Sequence, residues 1–328
     1  MKTRNTLLLA LWLALPAGAA AADNGTVSGL FLRLPPSAAG AGMGEAGVAV
    51  VAGSPAIFVN PAGLAGVKGG YASLTHSSWA DSLTYNVLSA AVKTRNAGVF
   101  GVGLRYLSYG EMEAFDNTGA AAGNLAPRDM AVEAGWATNL DWDRALGFSF
   151  KYLSSRIKRS ASSFAADIGF TQRAGNAFLG AALQNSGSGL KYGEEAYPLP
   201  LNLKLGVGVP FSDNLLGVFD LNVTRGAQPW VAAGGKYTLP VRAGVAMSLR
   251  AGYNTASGDT GGVNGFAAGF GLAGESLAVD YAIRTMGELG LTHHLGLSFR
   301  WEMPGLKVTN VREYPPARQD RKKTFSFK

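Results

Sequence analysis

Between about Gly70 and Glu302, apolar side chains occupy every second position for roughly ten residues at a time, and each run ends in a turn before the pattern restarts. Leu146, Phe148, Phe150 and Tyr152 alternate with Gly147, Ser149 and Lys151. Leu201, Leu203, Leu205, Val207 and Val209 alternate with Asn202, Lys204, Gly206 and Gly208. Successive side chains of a strand point to opposite faces, so each run is a ribbon with one oily face and one polar or small face. The pattern predicts strands at about 70–79, 82–93, 97–109, 129–139, 144–157, 163–173, 176–186, 199–210, 214–224, 229–238, 241–254, 263–273, 276–286 and 291–302. About fourteen such strands in one unbroken run exceed what a sandwich uses. They fit an all-β fold, a closed transmembrane antiparallel β-barrel over 70–302 whose oily face meets lipid.

The connections alternate in length. Thr94-Arg95-Asn96, Asp141-Trp142-Asp143, Ala174-Gly175-Asn176, Ser212-Asp213-Asn214, Leu239-Pro240 and Gly274-Glu275 are tight and rich in turn formers. The other set is mostly longer, at 110–128, 187–198, 255–262 and 287–290. Short periplasmic turns and longer outer loops are the asymmetry of outer-membrane barrels, so the first strand is expected to rise from the periplasm. Tyr71, Trp79, Tyr106, Tyr109, Trp136, Tyr152, Trp230, Tyr237, Tyr253 and Trp301 fall near strand ends, where amphipathic rings would form interfacial girdles.

The ends of the chain read differently. Lys2 and Arg4 precede the apolar run Leu7 to Leu15, and Ala20-Ala21-Ala22 offers a cleavage site, so residues 1–22 read as a secretory signal. The chain has no cysteine, which excludes disulfides, thiolate metal sites and a lipoprotein anchor. The net charge of +7 does not belong to the barrel. The signal carries two basic residues, the tail 303–328 carries seven basic and two acidic ones, and residues 23–302 are left neutral. A nucleic-acid partner inferred from the basic pI therefore has no footing. The tail is expected to be a basic periplasmic extension with little structure of its own.

Residues 23–69 do not alternate. Gly40, Gly42, Gly44 and Gly47 lie close together, followed by Ser54-Pro55-Ala56 and Asn60-Pro61-Ala62-Gly63-Leu64. A barrel of this size is wider than its own side chains fill, and this segment is long enough to enter it as a plug. Inward glycines such as Gly101, Gly103, Gly206, Gly208, Gly269 and Gly271 would leave the room.

Alternation also sorts the charges. Arg or Lys on the lipid face near mid-membrane costs about 2–4 kcal/mol. Arg105, Glu133, Lys151, Asp167, Lys204, Asp220, Lys236, Arg242, Arg250, Asp280, Arg284 and Arg300 are accordingly expected in the lumen. There they would pair across strands or hold the plug, for example Asp280 with Arg300 or Asp220 with Lys236. Alternatively the basic excess, with Arg242, Arg250 and Arg284 prominent, would meet an anionic head group, and Arg105, Lys151 and Asp280 would join them as lumenal contacts to a ligand or the plug. Catalysis finds little support. His293 and His294 are adjacent and must face opposite sides of a strand, and Gly98, Gly101 and Gly103 lie inside a strand, not before a helix. No cofactor and no metal are called for.

Arg33 to Leu64, with Ala41-Gly42-Met43-Gly44-Glu45-Ala46-Gly47 and the closing Asn60-Pro61-Ala62-Gly63-Leu64, resembles the N-terminal segment of the PorV/PorQ family, within the wider FadL-type outer-membrane barrels. The resemblance continues through Val231 to Tyr253 and through Val279-Asp280-Tyr281-Ala282 to Thr292-His293. It implies a fourteen-strand barrel with an N-terminal hatch in which Asn60, Pro61, Ala62 and Gly63 lie. It further implies one of two roles, both in the outer membrane and neither enzymatic. FadL-type proteins admit hydrophobic small molecules, whereas PorV-like proteins serve type IX secretion and receive exported cargo proteins. The expected partners are outer-membrane lipid, a hydrophobic ligand, or secretion and cargo proteins.

Overall fold

The computed structural model describes residues 26–79, 82–256 and 263–303. The expected signal, 1–22, and all but the first residue of the expected tail lie outside the described residues. Fourteen antiparallel strands close into one barrel in which each pairs with its neighbours in sequence and the last pairs with the first. In chain order they are β1 Gly70–Ser78, β2 Thr84–Lys93, β3 Val99–Ser108, β4 Arg128–Asn139, β5 Arg144–Arg156, β6 Ser160–Ala174 and β7 Ala177–Gly187. They continue as β8 Asn202–Pro210, β9 Leu215–Thr224, β10 Trp230–Arg242, β11 Val245–Asn254, β12 Asn264–Ala273, β13 Leu277–Met286 and β14 Leu291–Trp301. Gly70 meets Trp301 and Ser78 meets His293 at the closing seam. Closure leaves no open edge, so every ladder group has a partner without water, as a bilayer demands.

The alternation appears as inside and outside. In β5, Phe148, Phe150 and Tyr152 are 43, 55 and 38 % exposed, while Lys151 between them is 0 % exposed. His293 is exposed on the outer face and His294 is buried on the inner one.

Two boundaries depart from the expectation, each for a local reason. Leu239-Pro240 is not a turn: β10 continues to Arg242, with a register shift between Pro240 and Arg242. A bulge is one of the few places where a sheet tolerates proline. The reversal falls instead at Ala243-Gly244, where Gly244 has φ 74°. The two longest described outer loops also hold hairpins of their own, Met112–Phe115 with Ala121–Leu125 and Leu190–Tyr192 with Glu195–Tyr197. The girdle expectation fails at three rings: Trp230 is buried, Tyr109 bonds to Asp129, and Tyr71 lies against Gly53.

Residues 26–69 run inside the barrel, because their contacts reach strands all the way round it. Ser54 bonds Ser89 on β2, Gln184 on β7 reaches Phe58, Asp220 on β9 reaches Gly47, and Asn254 on β11 reaches Gly44. The segment begins at the loop end, where Ser28 N donates to Pro198 O (2.9 Å), and leaves at the turn end, where Lys93 N donates to Gly69 O (2.8 Å). It is built of short turns: Leu30–Arg33, Ala38–Ala41, Ser54–Phe58 and Pro61–Gly66. Proline and glycine deny it long regular structure. Phe31, Ile57, Phe58 and Leu64 are almost wholly buried against the wall residues Tyr85, Val87, Leu107 and Leu153, so the hydrophobic core of this molecule is the lumen itself. Each such side chain contributes about 1.5–3 kcal/mol.

Candidate functional site

The inward glycines mark where the segment touches the wall. A Cβ at Gly147 would collide with Pro61, one at Gly180 with Ala49, and one at Gly252 with Met43 and Gly44. Gly101, Gly103, Gly206, Gly208 and Gly269 likewise face Leu64, Phe58, Val48, Val50 and Gly42. Gly271 differs, lying beside Arg250 and Asp280.

The Asn60-Pro61-Ala62-Gly63 motif is a buried buttress near the turn end. Asn60 caps the turn Pro61–Gly66, its Oδ1 accepting from Ala62 N (3.1 Å). Pro61 occupies the first turn, where a missing N–H costs nothing. The Asn60 amide donates to Val48 O (2.8 Å) and to Phe170 O on β6 (3.1 Å), tying one part of the segment to another and to the wall. Gly63 packs on Val51 O with no room for a side chain. Asn60→Ser retains a capping oxygen but loses both donors. Its cost is expected to be about 1–2 kcal/mol, read as a lower refolding midpoint in urea.

Four charges form one buried network on β3 to β6. Arg105 Nε meets Glu133 at 2.9 Å, Lys151 Nζ meets Asp167 at 2.8 Å and Glu133 at 3.8 Å, and all four side chains are at most 3 % exposed. Arg105 also donates to Leu32 O and Phe58 O and lies 4.6 Å from the Phe58 ring centre. Lys151 donates to Asn185 Oδ1 (2.9 Å). Asn185 adopts φ 60°, in a bulge where β7 carries one residue more than β6, and its N–H donates to Asp167 (2.7 Å).

Across the lumen, Arg284 pairs with Glu45 and donates to Asn254 Oδ1 (3.1 Å), and Asn254 in turn donates to Gly44 O (3.0 Å). Asp220 accepts from Gly47 N and Val48 N at 2.8 and 2.9 Å. Nearer the turn end, Arg250 pairs with Asp280 at 2.7 Å.

Of the basic residues singled out from sequence, Arg105, Lys151, Arg250 and Arg284 are thus held by carboxylates. Arg242 does not join them: it is exposed at the tip of β10, because the bulge and the displaced turn carry it out of the lumen's parity. Both suggested pairings are replaced. Asp280 takes Arg250, while Arg300 donates to Gly274 O, and Asp220 serves backbone N–H groups and not Lys236. Glu45, Asn185, Gln184 and Asn254 were not singled out. Their signal is weak because Gln184 and Asn254 act on backbone, Asn185 sits at a bulge, and Glu45 lies in a segment without alternation, none of which strand parity reports.

Between these clusters lies a cavity of about 40 Å³, lined by Arg33, Glu45, Gln184, Lys204, Thr224 and Trp230 among others. It has room for about three waters. Asp220 Oδ1, Asn222 Nδ2 and Trp230 Nε1 lie buried nearby without a partner among the described residues. At the outer mouth, Tyr109 and Ser155 both donate to Asp129, and Tyr192 donates to Ser155, which draws the two hairpin-bearing loops together. Burial, with the Asp129 carboxylate beside it, raises the Tyr109 phenol well above its ordinary value. Burial also raises Tyr192, so both rings remain neutral donors.

No protein-family model matches this chain. No curated protein matches it either. Solved structures do. The Ralstonia pickettii toluene transporter TbuX superposes with a TM-score of 0.58 at 14 % identity, covering 81 % of this chain and 98 % of that one. The CymD monoaromatic hydrocarbon channel gives 0.56 at 12 %, covering 81 % and 98 %. A Pseudomonas aeruginosa FadL homologue gives 0.53 at 13 %, covering 81 % and 99 %. At such identities the likeness shows the fold alone.

Proposed function

We propose that this protein passes hydrophobic small molecules across the outer membrane, with residues 26–69 as the hatch that must shift. The observation that carries the reading is a barrel sharing the fold of hydrocarbon channels and closed by its own N-terminal segment. That segment is held across the lumen by a few polar contacts, such as Glu45 with Arg284 and Gly47 with Asp220. Contacts of this kind hold a segment in place yet can be exchanged for others, whereas a strand of the wall cannot leave without opening the sheet. The test is uptake of radiolabelled toluene by cells whose own hydrocarbon channels are deleted. Cells making this protein are expected to accumulate the label several-fold faster than cells carrying an empty vector, and Arg284→Ala faster still. Equal rates in all three strains would sink the reading.

A second reading, a PorV-like accessory of protein secretion, is favoured by one observation. The cavity in the lumen has room for only a few waters, which suits a barrel that remains plugged and offers its rim to a protein. The order of the glycine-rich and Asn-Pro motifs supports the same family placement. Stoichiometric co-purification of an exported protein, together with no toluene uptake, is its expected signature.

A further inference from the structure

The outer rim of the barrel carries a charge arrangement that neither the hatch nor the lumen explains. On the outward face of β4 and β5, Arg128 and Arg156 stand directly opposite each other in the ladder, flanked by Ser108 on β3 and Ser160 on β6. Both are exposed, and Lys158 and Arg159 in the turn that follows are exposed as well. Like charges directly opposite on a sheet repel. Among the described residues no carboxylate relieves them. The adjoining acid, Asp129, points to the opposite face and accepts from Tyr109 and Ser155. Arg159 turns aside toward Gly193 of the neighbouring loop, so the exposed cations left at this rim are Arg128, Arg156 and Lys158.

The rows below are ordered by chemistry. One row down on the same face stand Ser154 and Ser162, directly opposite each other. The next row pairs Tyr152 with Phe164, and Phe164 also stacks on Phe150 with ring centres 5.5 Å apart. Phe150 and Phe164 are 55 and 53 % exposed, on the face that meets lipid. Four residues of strand separate Arg156 from Tyr152, about 13 Å along the chain. Descending from the rim, the wall therefore offers cations, then hydroxyls, then flat aromatic surface. A lipid carrying phosphates on a sugar head group, with amide or ester linkages beneath and acyl chains below, presents the complementary order. Arginine suits phosphate because its planar fork donates two hydrogen bonds at once.

We propose that Arg128, Arg156 and Lys158 form a binding site for the phosphates of an outer-leaflet glycolipid, whose acyl chains lie over Tyr152, Phe164 and Phe150. The bound anion relieves the Arg128–Arg156 repulsion, which gives the like-charged pair a physical reason to exist. The site is on the outer wall and is independent of whatever passes through, or docks on, the barrel.

The full-length protein in phosphatidylcholine nanodiscs, titrated with bisphosphorylated lipid A and with its dephosphorylated form, tests this. The wild type is expected to bind the phosphorylated lipid at least tenfold more tightly, and R128Q/R156Q/K158Q to lose that preference. R225Q, at another outer loop, is expected to keep it. R156Q alone relieves the repulsion, so it is expected to fold at least as well as the wild type in detergent while losing several-fold in lipid affinity. That separates a binding defect from a folding defect. The proposal is overturned if the triple variant, or R156Q where the triple variant does not fold, retains the wild-type preference. It is overturned equally if R225Q loses as much.

Discussion

Glu133→Gln is expected to destabilise the barrel by about 3–5 kcal/mol, the cost of breaking a buried ion network by removing one partner. Glu133 stands between Arg105 at 2.9 Å and Lys151 at 3.8 Å, and none of the three side chains reaches solvent. With the charge gone, two buried cations share only Asp167, and Arg105 retains the Leu32 and Phe58 carbonyls, which are acceptors without a full charge. The defect reaches beyond the wall, because those two carbonyls belong to the hatch. Urea-driven unfolding in lipid vesicles, followed by heat-dependent gel migration, gives the number. A midpoint within about 1 kcal/mol of the wild type would show that water reaches the network and that it is not buried in the membrane-embedded protein. Replacing all four charges by apolar residues of similar volume is expected to cost far less than the single change, since a buried network specifies geometry more than it stabilises.

What was legible in the sequence follows from what a strand repeats. Parity repeats every two residues, so the fourteen strands, the outward Phe148 and Phe150 and the inward Lys151 could all be read from alternation. The inward glycines were legible for the same reason, and their meaning followed from the width of the barrel. The choice of partner was not legible, because it depends on register and on a segment with no period of its own. Asp280 meets Arg250 and not Arg300 because β11, β12 and β13 are neighbours there, and Gly271 between them has no side chain to separate the pair. Arg242 was misplaced because one bulge at Pro240 and a turn four residues later than expected reverse the parity argument at that strand end. Trp230 was misplaced because an aromatic at a strand end suits an interfacial girdle or a lumenal wall equally, and composition does not choose between them. Glu45 carries the main ion pair between the hatch and β13, yet it lies in a glycine-rich run where only a φ of 68° marks it as held. Asn185 is similar, since a left-handed asparagine in a bulge leaves no trace in the alternation around it.

Asp220→Ala is expected to free the hatch without opening the barrel. The carboxylate accepts from two successive backbone N–H groups, Gly47 at 2.8 Å and Val48 at 2.9 Å, from a position wholly removed from solvent. Hydrogen bonds to a charged group contribute about 1.5–3 kcal/mol each, so losing both costs the local structure roughly 3–6 kcal/mol. Asp220→Asn leaves one neutral acceptor and is expected to lose about half of that. Amide hydrogen exchange reads the effect where it arises. The Gly47 and Val48 amides should exchange at least a hundredfold faster in Asp220→Ala, since each 1.4 kcal/mol is a factor of ten. Amides in the β2–β3 ladder, on the far side of the lumen, should retain their protection, because the strand hydrogen bonds do not involve Asp220. Loss of protection in both places would mean that hatch and wall unfold as one unit, and a gate made by moving residues 26–69 alone would then be untenable. Loss confined to the hatch, accompanied by faster toluene uptake, would tie the opening of the lumen to a single carboxylate. Loss confined to the hatch with no change in uptake would leave a loosened plug that passes nothing, and would turn the assignment toward a barrel that works through its rim.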